Sequence, residues 1–180
     1  MRPDVVVVMG VAGAGKTTVG RMLAHELGWS FADADGYHTP DAWAKMGRGE
    51  PLTDADRAPW LARLRAVVAD HRATGTPLVV ACSALKDRYR QALVPADAPH
   101  GAVGFVYLRV PPETTRARLA ARRGHPVGPE LDASQWATLE EPSEALWVDG
   151  TRSPAACVRD AIDGLGLARQ HGDRPGEPAT

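Results

Sequence analysis

The stretch "GVAGAGKT", residues 10–17, constrains the fold more than any other part of the chain. It directly follows the apolar run "DVVVVM" and precedes "KTTVGRMLAHEL", which has the apolar spacing of an amphipathic helix. A glycine, four residues and then Gly-Lys-Thr between a strand and a helix match the phosphate-binding loop, or P-loop. Small residues let backbone N–H groups surround phosphates, and the helix N-terminus adds partial positive charge. The sequence therefore predicts a nucleotide-binding protein.

Within this loop the two polar side chains have separate predicted roles. Lys16 is expected to reach the β and γ phosphates, and Thr17 to offer its hydroxyl to Mg²⁺. The predicted nucleotide-binding residues of the loop are Gly10, Val11, Ala12, Gly13, Ala14, Gly15, Lys16, Thr17 and Thr18.

Apolar runs of strand length alternate with longer helical patterns along the chain, which is typical of a parallel sheet covered by helices on both faces. We expect an α/β fold of three layers with a five-stranded parallel sheet. The predicted strands are residues 5–9, 29–32, 78–82, 103–110 and 145–148. A helix of about five turns is expected between Thr53 and Gly75, because Thr53 and Asp56 have capping-box spacing. Another helix is expected to start at Ser153 and Pro154.

Length and composition predict one domain over residues 1–168, followed by a disordered tail at 169–180 that is rich in Gly, Pro and charge. The net charge of −1 argues against a general nucleic-acid or membrane-surface binder. Cys82 and Cys157 have no zinc-like spacing and are expected to be reduced thiols in a cytoplasmic protein. The apolar run near the N-terminus is too short to span a membrane.

The segment "FADADGYH", residues 31–38, places two aspartates at the end of the second predicted strand. Ligands of parallel sheets bind at the carboxyl ends of the strands. Side chains two apart on an extended segment face the same way, so Asp33 and Asp35 are both expected to point at the phosphate site. Asp33 is predicted to help hold Mg²⁺, and Asp35 to orient or deprotonate an acceptor hydroxyl. The alternative is an Asp-Gly turn with solvated acids.

Two further stretches supply candidate substrate contacts. Residues 45–61 contain Arg57, and residues 81–93 follow the third predicted strand. A Walker B aspartate is common at that position, but this chain has Cys82 and Ser83 there. The predicted partners for a carboxylate and hydroxyls in the second stretch are Lys86, Tyr89 and Arg90. The alternative is a helix with a solvated basic face.

A predicted lid follows at about residues 122–138. Arg118 and Arg122 are four apart on one helical face, and a Gly- and Pro-rich segment with His125 comes next. Such a lid closes over the nucleotide and brings arginine to the charge that develops in phosphoryl transfer. Arg118 and Arg122 are therefore predicted to bind the nucleotide, and Arg122 also to act in catalysis. The alternative is a surface helix and an ordinary loop.

Together the motifs resemble the gluconate kinase (gluconokinase) family of small P-loop sugar-acid kinases. The matching pieces, in order over about residues 4–165, are "MGVAGAGKT", "DADGYH", "KMGRGEPLTDADRAPWL", "CSALKDRYR", "YLRV", and "RLAARRGH" followed by "SQWATLEEP". The resemblance implies ATP-dependent phosphorylation of D-gluconate at its 6-hydroxyl, a fold similar to the nucleoside-monophosphate kinases, and a homodimer. It also implies that Asp35 and His38 belong to the substrate site.

The chain departs from the family pattern at three places. Thr39 follows His38 where the family has proline, Ala42 replaces a common asparagine, and Pro126 stands where an aromatic residue is usual.

Two other functions remain as alternatives. A shikimate kinase would show Gly-Gly-Gly after the third strand, where this chain has "CSALK". A nucleotide-binding regulatory module without turnover would not need Lys16, Thr17 and Asp35 together. The complete prediction assigns catalysis to Lys16, Asp35 and Arg122, metal binding to Thr17 and Asp33, and substrate binding to Asp35, His38, Arg57, Lys86, Tyr89 and Arg90.

Overall fold

The computed structural model describes residues 2–121 and 129–168. Its strands are β1 Val5–Met9, β2 Ser30–Asp33, β3 Leu78–Ala81, β4 Val103–Arg109 and β5 Leu146–Asp149, each within one residue of its predicted bounds. These five parallel strands form one sheet in the order β2-β3-β1-β4-β5, which confirms the predicted fold class.

Helices cover both faces of the sheet because the central strand β1 is apolar on both sides. All of its side chains are fully buried, with Val6 and Val8 in one core cluster and Val5 and Val7 in the other. The helices are α1 Lys16–Leu27, α2 Pro40–Gly47, α3 Asp54–Ala73, α4 Asp87–Leu93, α5 Pro112–Ala121, α6 Pro129–Thr138 and α7 Pro154–Gly164. The first cluster includes residues of α1 and α7, and the second includes residues of α3 and α4.

Local capping explains where several helices begin. The Thr53 hydroxyl accepts from Asp56 N at 3.2 Å and the Asp56 carboxylate accepts from Thr53 N at 2.8 Å, so the predicted capping box of α3 is confirmed. Ser153 caps α7 as predicted. Helix α2 was not predicted, and it begins because the Thr39 hydroxyl accepts from Ala42 N.

Part of the predicted lid is helical. Residues 129–138 form α6, whereas residues 122–128, which include Arg122 and His125, lie outside the described residues. The predicted tail at 169–180 also lies outside them. Over the described ranges, no helix is long and apolar enough to cross a membrane.

The strand order brings the candidate site residues to one edge of the sheet. Strand β3 lies between β1 and β2, so the P-loop, Asp33 and Ser83 follow neighbouring strands at their carboxyl ends. Gly10 N donates to Ser83 O at 3.4 Å and closes the connection between β1 and β3. A side chain at Gly10 would place its Cβ 3.0 Å from Leu108 O, and its φ of +143° favours glycine.

Candidate active site

The P-loop encloses a small cradle of backbone N–H groups in front of α1. Gly13 and Gly15 have φ values of +77° and +101°, which L-residues with a side chain rarely adopt. Gly15 is the N-cap of α1, so the loop passes directly into the helix N-terminus. The Lys16 ammonium donates to Val11 O at 2.9 Å and lies across the loop. The geometry suits anionic phosphates, because both the amides and the helix dipole favour negative charge.

Thr17 and Asp33 form a hydrogen-bonded pair of oxygen-bearing side chains beside this cradle. The Thr17 hydroxyl donates to the Asp33 carboxylate at 2.9 Å. In kinases Mg²⁺ keeps several waters and binds one or two protein oxygens together with phosphate oxygens. Within residues 2–121 and 129–168, no group of three His, Cys, Asp or Glu side chains is arranged to hold a metal ion. The pair therefore fits Mg²⁺ that arrives with a nucleotide.

Cys82 stands where many P-loop proteins carry an acidic metal ligand. It is buried, and burial raises the pKa of its thiol to about 12. A neutral thiol is a poor ligand for a hard cation. The Thr17–Asp33 pair therefore remains the candidate site for a metal ion beside the P-loop.

The structure corrects the geometric argument for the two aspartates. Asp33 ends β2, but Asp35 lies in a 3-10 turn, Ala34–Tyr37, and not on an extended segment. The Asp33 carboxylate caps this turn by accepting from Asp35 N at 3.2 Å. Both side chains still line one cleft in front of the P-loop. Asp35 therefore reaches the cleft through the 3-10 turn and not through the alternation of side chains along a strand.

This cleft collects most of the predicted site. The predicted residues that line it are Ala12, Gly13, Gly15, Lys16, Thr17, Asp33, Asp35, His38, Arg57 and Tyr89. Sequence reasoning missed a set of apolar and polar lining residues, namely Trp43, Met46, Pro51, Leu52, Trp60, Ser83, Leu85, Ser134 and Gln135. The i, i+3 spacing of Trp43 and Met46 was an available signal for one wall, although only after α2 had been recognised as a helix.

One wall of the cleft carries positive charge around a tyrosine. The Tyr89 hydroxyl donates to the Asp54 carboxylate, and the Arg57 guanidinium donates to the Tyr89 oxygen at 3.4 Å and to Leu52 O. Burial, reinforced by the bond to Asp54, raises the pKa of Tyr89, so the phenol stays protonated. Lys86 Nζ lies 3.8 Å from the same carboxylate. The wall is suited to a ligand that carries an anionic group.

His38 forms the part of the cleft between this wall and Asp35. Its ring stacks on Trp60 with centroids 4.6 Å apart, and Trp60 is fixed because its indole N–H donates to Ala34 O. Burial lowers the pKa of His38, partly offset by the nearby Asp35 carboxylate. The imidazole is therefore neutral near pH 7. Among the described residues, its buried Nδ1 has no hydrogen-bond partner.

A second cavity lies behind the P-loop and shares Gly13 and Gly15 with the main cleft. Arg118 spans it, donating to Gly13 O and Ala14 O at 3.3 Å each and to Gly150 O at 2.9 Å. Thr18 and Arg152 also line this cavity. Arg152 was not among the predicted residues.

Similar proteins point to one class of kinase. A gluconokinase of Gluconobacter oxydans (strain 621H) is 41% identical over 165 residues, covering 90% of this chain and 91% of that protein. The chain belongs to the gluconokinase family. The solved structure of a gluconokinase from Sinorhizobium meliloti 1021 is 39% identical, with a TM-score of 0.77 and coverage of 91% of this chain and 92% of that one.

A sugar kinase structure from Janibacter sp. HTCC2649 is also similar, at 40% identity and a TM-score of 0.83, covering 92% of this chain and 96% of that one. The family model described as shikimate kinase matches residues 12–147. The identities to gluconokinases, over nearly the whole chain, place the protein with them and disfavour the shikimate-kinase alternative.

Among the predicted residues that the structure describes, seven do not line the main cleft: Gly10, Val11, Ala14 and Thr18 of the P-loop segment, and Lys86, Arg90 and Arg118. Arg90 is only 7% exposed, and its guanidinium donates to Ala84 O, Leu85 O and Glu140 O, so its position does not support substrate contact. Lys86 lies near the positive wall but does not line the cleft, and Arg118 lines the second cavity. The correction for Arg90 has a simple cause: a helical periodicity cannot show which basic side chain turns inward.

Proposed function

We propose that the protein catalyses ATP-dependent phosphorylation of D-gluconate at the 6-hydroxyl, giving 6-phospho-D-gluconate and ADP. The observation that carries this assignment is a single cleft that joins a P-loop, a carboxylate at Asp35 and a cationic wall at Arg57. Membership of the gluconokinase family supports the choice of substrate.

The donor half of the reaction depends on the P-loop. Its amides and Lys16 would hold the phosphates of ATP, and Thr17 and Asp33 would hold Mg²⁺. Mg²⁺ bound there would neutralise negative charge that develops on the phosphate oxygens. The amides, fixed by positive φ at Gly13 and Gly15, favour negative charge without reorganising during the reaction.

The acceptor half depends on Asp35. Its carboxylate accepts the proton of the 6-hydroxyl as the hydroxyl oxygen bonds to the γ-phosphorus and the bond to the ADP oxygen breaks. The turn that begins at Asp33 keeps Asp35 close to the hydrogen-bonded pair of Thr17 and Asp33, so both carboxylates serve one reacting centre. Positioning of the two reactants then supplies a large part of the rate.

We assign recognition of the sugar acid to the positively charged wall around Tyr89. The guanidinium of Arg57 pairs with the substrate carboxylate, and Tyr89 and the neutral His38 bind hydroxyls. Lys86 adds positive charge from the rim. A site that hydrogen-bonds hydroxyls rejects analogues that lack them, by about 10⁴-fold in favourable cases.

We also propose that the adenosine portion of ATP extends into the second cavity. Arg118 orders the outer side of the P-loop there, and Arg152 offers a second cation. Arg122 is proposed to reach the phosphates from the lid. We further propose that the protein is a homodimer, acts in the cytoplasm and binds neither nucleic acid nor membranes. The free thiols of Cys82 and Cys157 support the cytoplasmic location, and the net charge of −1 supports the absence of nucleic-acid and membrane binding.

The decisive experiment is ADP release over a panel of D-gluconate, other aldonates, shikimate and nucleoside monophosphates. We expect turnover selective for D-gluconate. Selective turnover of shikimate or a nucleotide would contradict the substrate assignment, and no turnover with any acceptor would favour the regulatory module. Sedimentation of the same sample tests the dimer, and titration with EDTA followed by added Mg²⁺ tests the metal requirement.

A further inference from the structure

Residues 135–140, "QWATLE", comprise the last four residues of α6 and the two that follow it, and have no role in the proposed reaction. We call them the bridge segment. Its first residue reaches the P-loop, because the Gln135 side-chain carbonyl accepts from Ala12 N at 2.7 Å. Gln135 also lines the main cleft. One of the backbone N–H groups of the phosphate loop is thus held by a side chain from 123 residues further along the chain.

The other end of the bridge segment is fixed to the start of α4. The Glu140 carboxylate accepts from Asp87 N at 2.7 Å, and Glu140 N donates to Leu85 O at 2.8 Å. The buried guanidinium of Arg90 donates to Glu140 O at 3.0 Å. Helix α4 also carries Tyr89, which lines the cleft on the acceptor side.

Between these ends the bridge segment is held in one conformation. Leu139 N donates to Gln135 O at 3.0 Å, which continues the last turn of α6. Leu139 packs against both core clusters, and the Trp136 indole N–H donates to the Thr115 hydroxyl on α5 at 3.4 Å. Packed side chains and hydrogen-bond networks of this kind carry coupling between two sites when they have two discrete arrangements, which the experiments below test.

We propose that the bridge segment couples ATP binding to binding of the sugar acid, with Gln135 as the positioning residue at the P-loop. Phosphates compete for the amides of the loop, so nucleotide binding changes the bond between Ala12 N and Gln135. The displacement reaches α4 through Glu140 and reorients Tyr89 toward the acceptor. The identity of the acceptor rests on the proposed function, whereas the mechanical link does not.

The first test measures the dissociation constant of a non-hydrolysable ATP analogue by calorimetry, with and without saturating D-gluconate. For the unmodified protein we expect D-gluconate to tighten the analogue about 5- to 10-fold, within the usual range of coupling between two sites. Gln135→Met keeps the length of the side chain but removes the acceptor, and should bring this ratio below about 2-fold. The control Gln91→Met, on the exposed side of α4, loses a side-chain bond to Asp87 but no hydrogen bond with the bridge segment, and should keep the ratio.

Where calorimetry shows that D-gluconate itself binds, a ratio near one in the unmodified protein, or a full ratio in Gln135→Met, would overturn the proposal. The far end supplies an independent check. Glu140→Ala removes the carboxylate cap of α4 but leaves the backbone bonds of residue 140, and should lower the ratio as well. If both residues act along one path, the double variant should have a ratio no lower than that of the single variant with the lower ratio. Additive losses in the double variant would contradict a shared path.

A second measurement does not depend on the acceptor. Hydrogen exchange of the α4 amides is followed on adding the ATP analogue alone. We expect exchange in the unmodified protein to slow at least about 3-fold, and Gln135→Met to abolish this slowing while Gln91→Met retains it. Slowing that persists in Gln135→Met, or its absence in the unmodified protein, overturns the link. Failure of D-gluconate to bind, with this pattern intact, would contradict only the proposed function.

Discussion

The donor and acceptor sides of the cleft are built in different ways. The proposed donor side is one continuous segment, residues 10–18, which offers backbone amides and the side chains of Lys16 and Thr17. The proposed acceptor side draws on the 3-10 turn, α2, α3 and α4, and offers side chains. Glycines with positive φ impose the donor geometry locally, whereas the acceptor geometry exists only after distant elements have packed. Substitutions on the two sides should therefore fail in different ways.

The largest effect is expected on the donor side, from Lys16→Met. Loss of the cation at the phosphates should lower kcat by about 10³-fold, as removal of one preorganised charge donor does in other enzymes. Steady-state kinetics with D-gluconate measures this loss. The matched control is Arg65→Met on the exposed face of α3, which should keep kcat within about 2-fold. A similar loss in both variants would contradict a specific role for Lys16.

Substitutions of Asp33 and Asp35 distinguish the donor side from the acceptor side where the two sides meet. Asp35→Asn should lower kcat by about 10²- to 10³-fold while the KM for ATP stays nearly constant, because only the acceptor loses its base. Asp33→Asn should instead raise the Mg²⁺ concentration needed for half-maximal rate, since Asp33 is bonded to Thr17. Titration of rate against Mg²⁺ compares them. An identical response of the two variants would remove the division of roles.

Arg57 and Arg88 offer a sharp comparison on the acceptor side. Both guanidinium carbons lie 5.5 Å from the centre of the Tyr89 ring, but only Arg57 lines the cleft. Arg57→Gln should raise the KM for D-gluconate about 10- to 100-fold through loss of a charge-assisted pair, whereas Arg88→Gln should change it less than about 2-fold. Equal increases would place the carboxylate elsewhere.

The smallest effect concerns acid stability at His38. The pKa of His38 is lowered by burial in the folded protein, so protons bind preferentially to the unfolded chain once the pH falls below the ordinary value of about 6.5. Arg57 adds to this lowering and Asp35 opposes it. Between pH 7 and pH 5 the melting temperature should fall more for the unmodified protein than for His38→Gln, by on the order of 1 °C. Calorimetry at both pH values measures this, and a steeper fall for His38→Gln would contradict the burial argument.

Local signals in the sequence predicted the fold well and placed the P-loop between β1 and α1. The P-loop, the apolar strands and the caps at Thr53 and Ser153 depend on neighbours within a few residues, and the structure confirms the five-stranded sheet and both caps. Asp33 and Asp35 were correctly expected at one edge of the sheet, although the 3-10 turn replaced the extended geometry.

Residues whose direction depends on tertiary packing were not predictable in this way. Arg90 and Tyr89 are neighbours on α4, yet Arg90 turns inward to three backbone carbonyls while Tyr89 faces the cleft. Gln135 gave no signal because its partner, Ala12, is remote in the chain. The apolar wall at Trp43 depends on α2, whose cap at Thr39 is a departure from the family pattern.

The most direct test of the acceptor site is a crystal structure with a non-hydrolysable ATP analogue and D-gluconate bound together. We expect the 6-hydroxyl within about 3.2 Å of the Asp35 carboxylate, and the substrate carboxylate paired with Arg57. A complex in which Asp35 contacts neither hydroxyl nor phosphate, or in which the carboxylate end of D-gluconate points at the P-loop, would contradict the account.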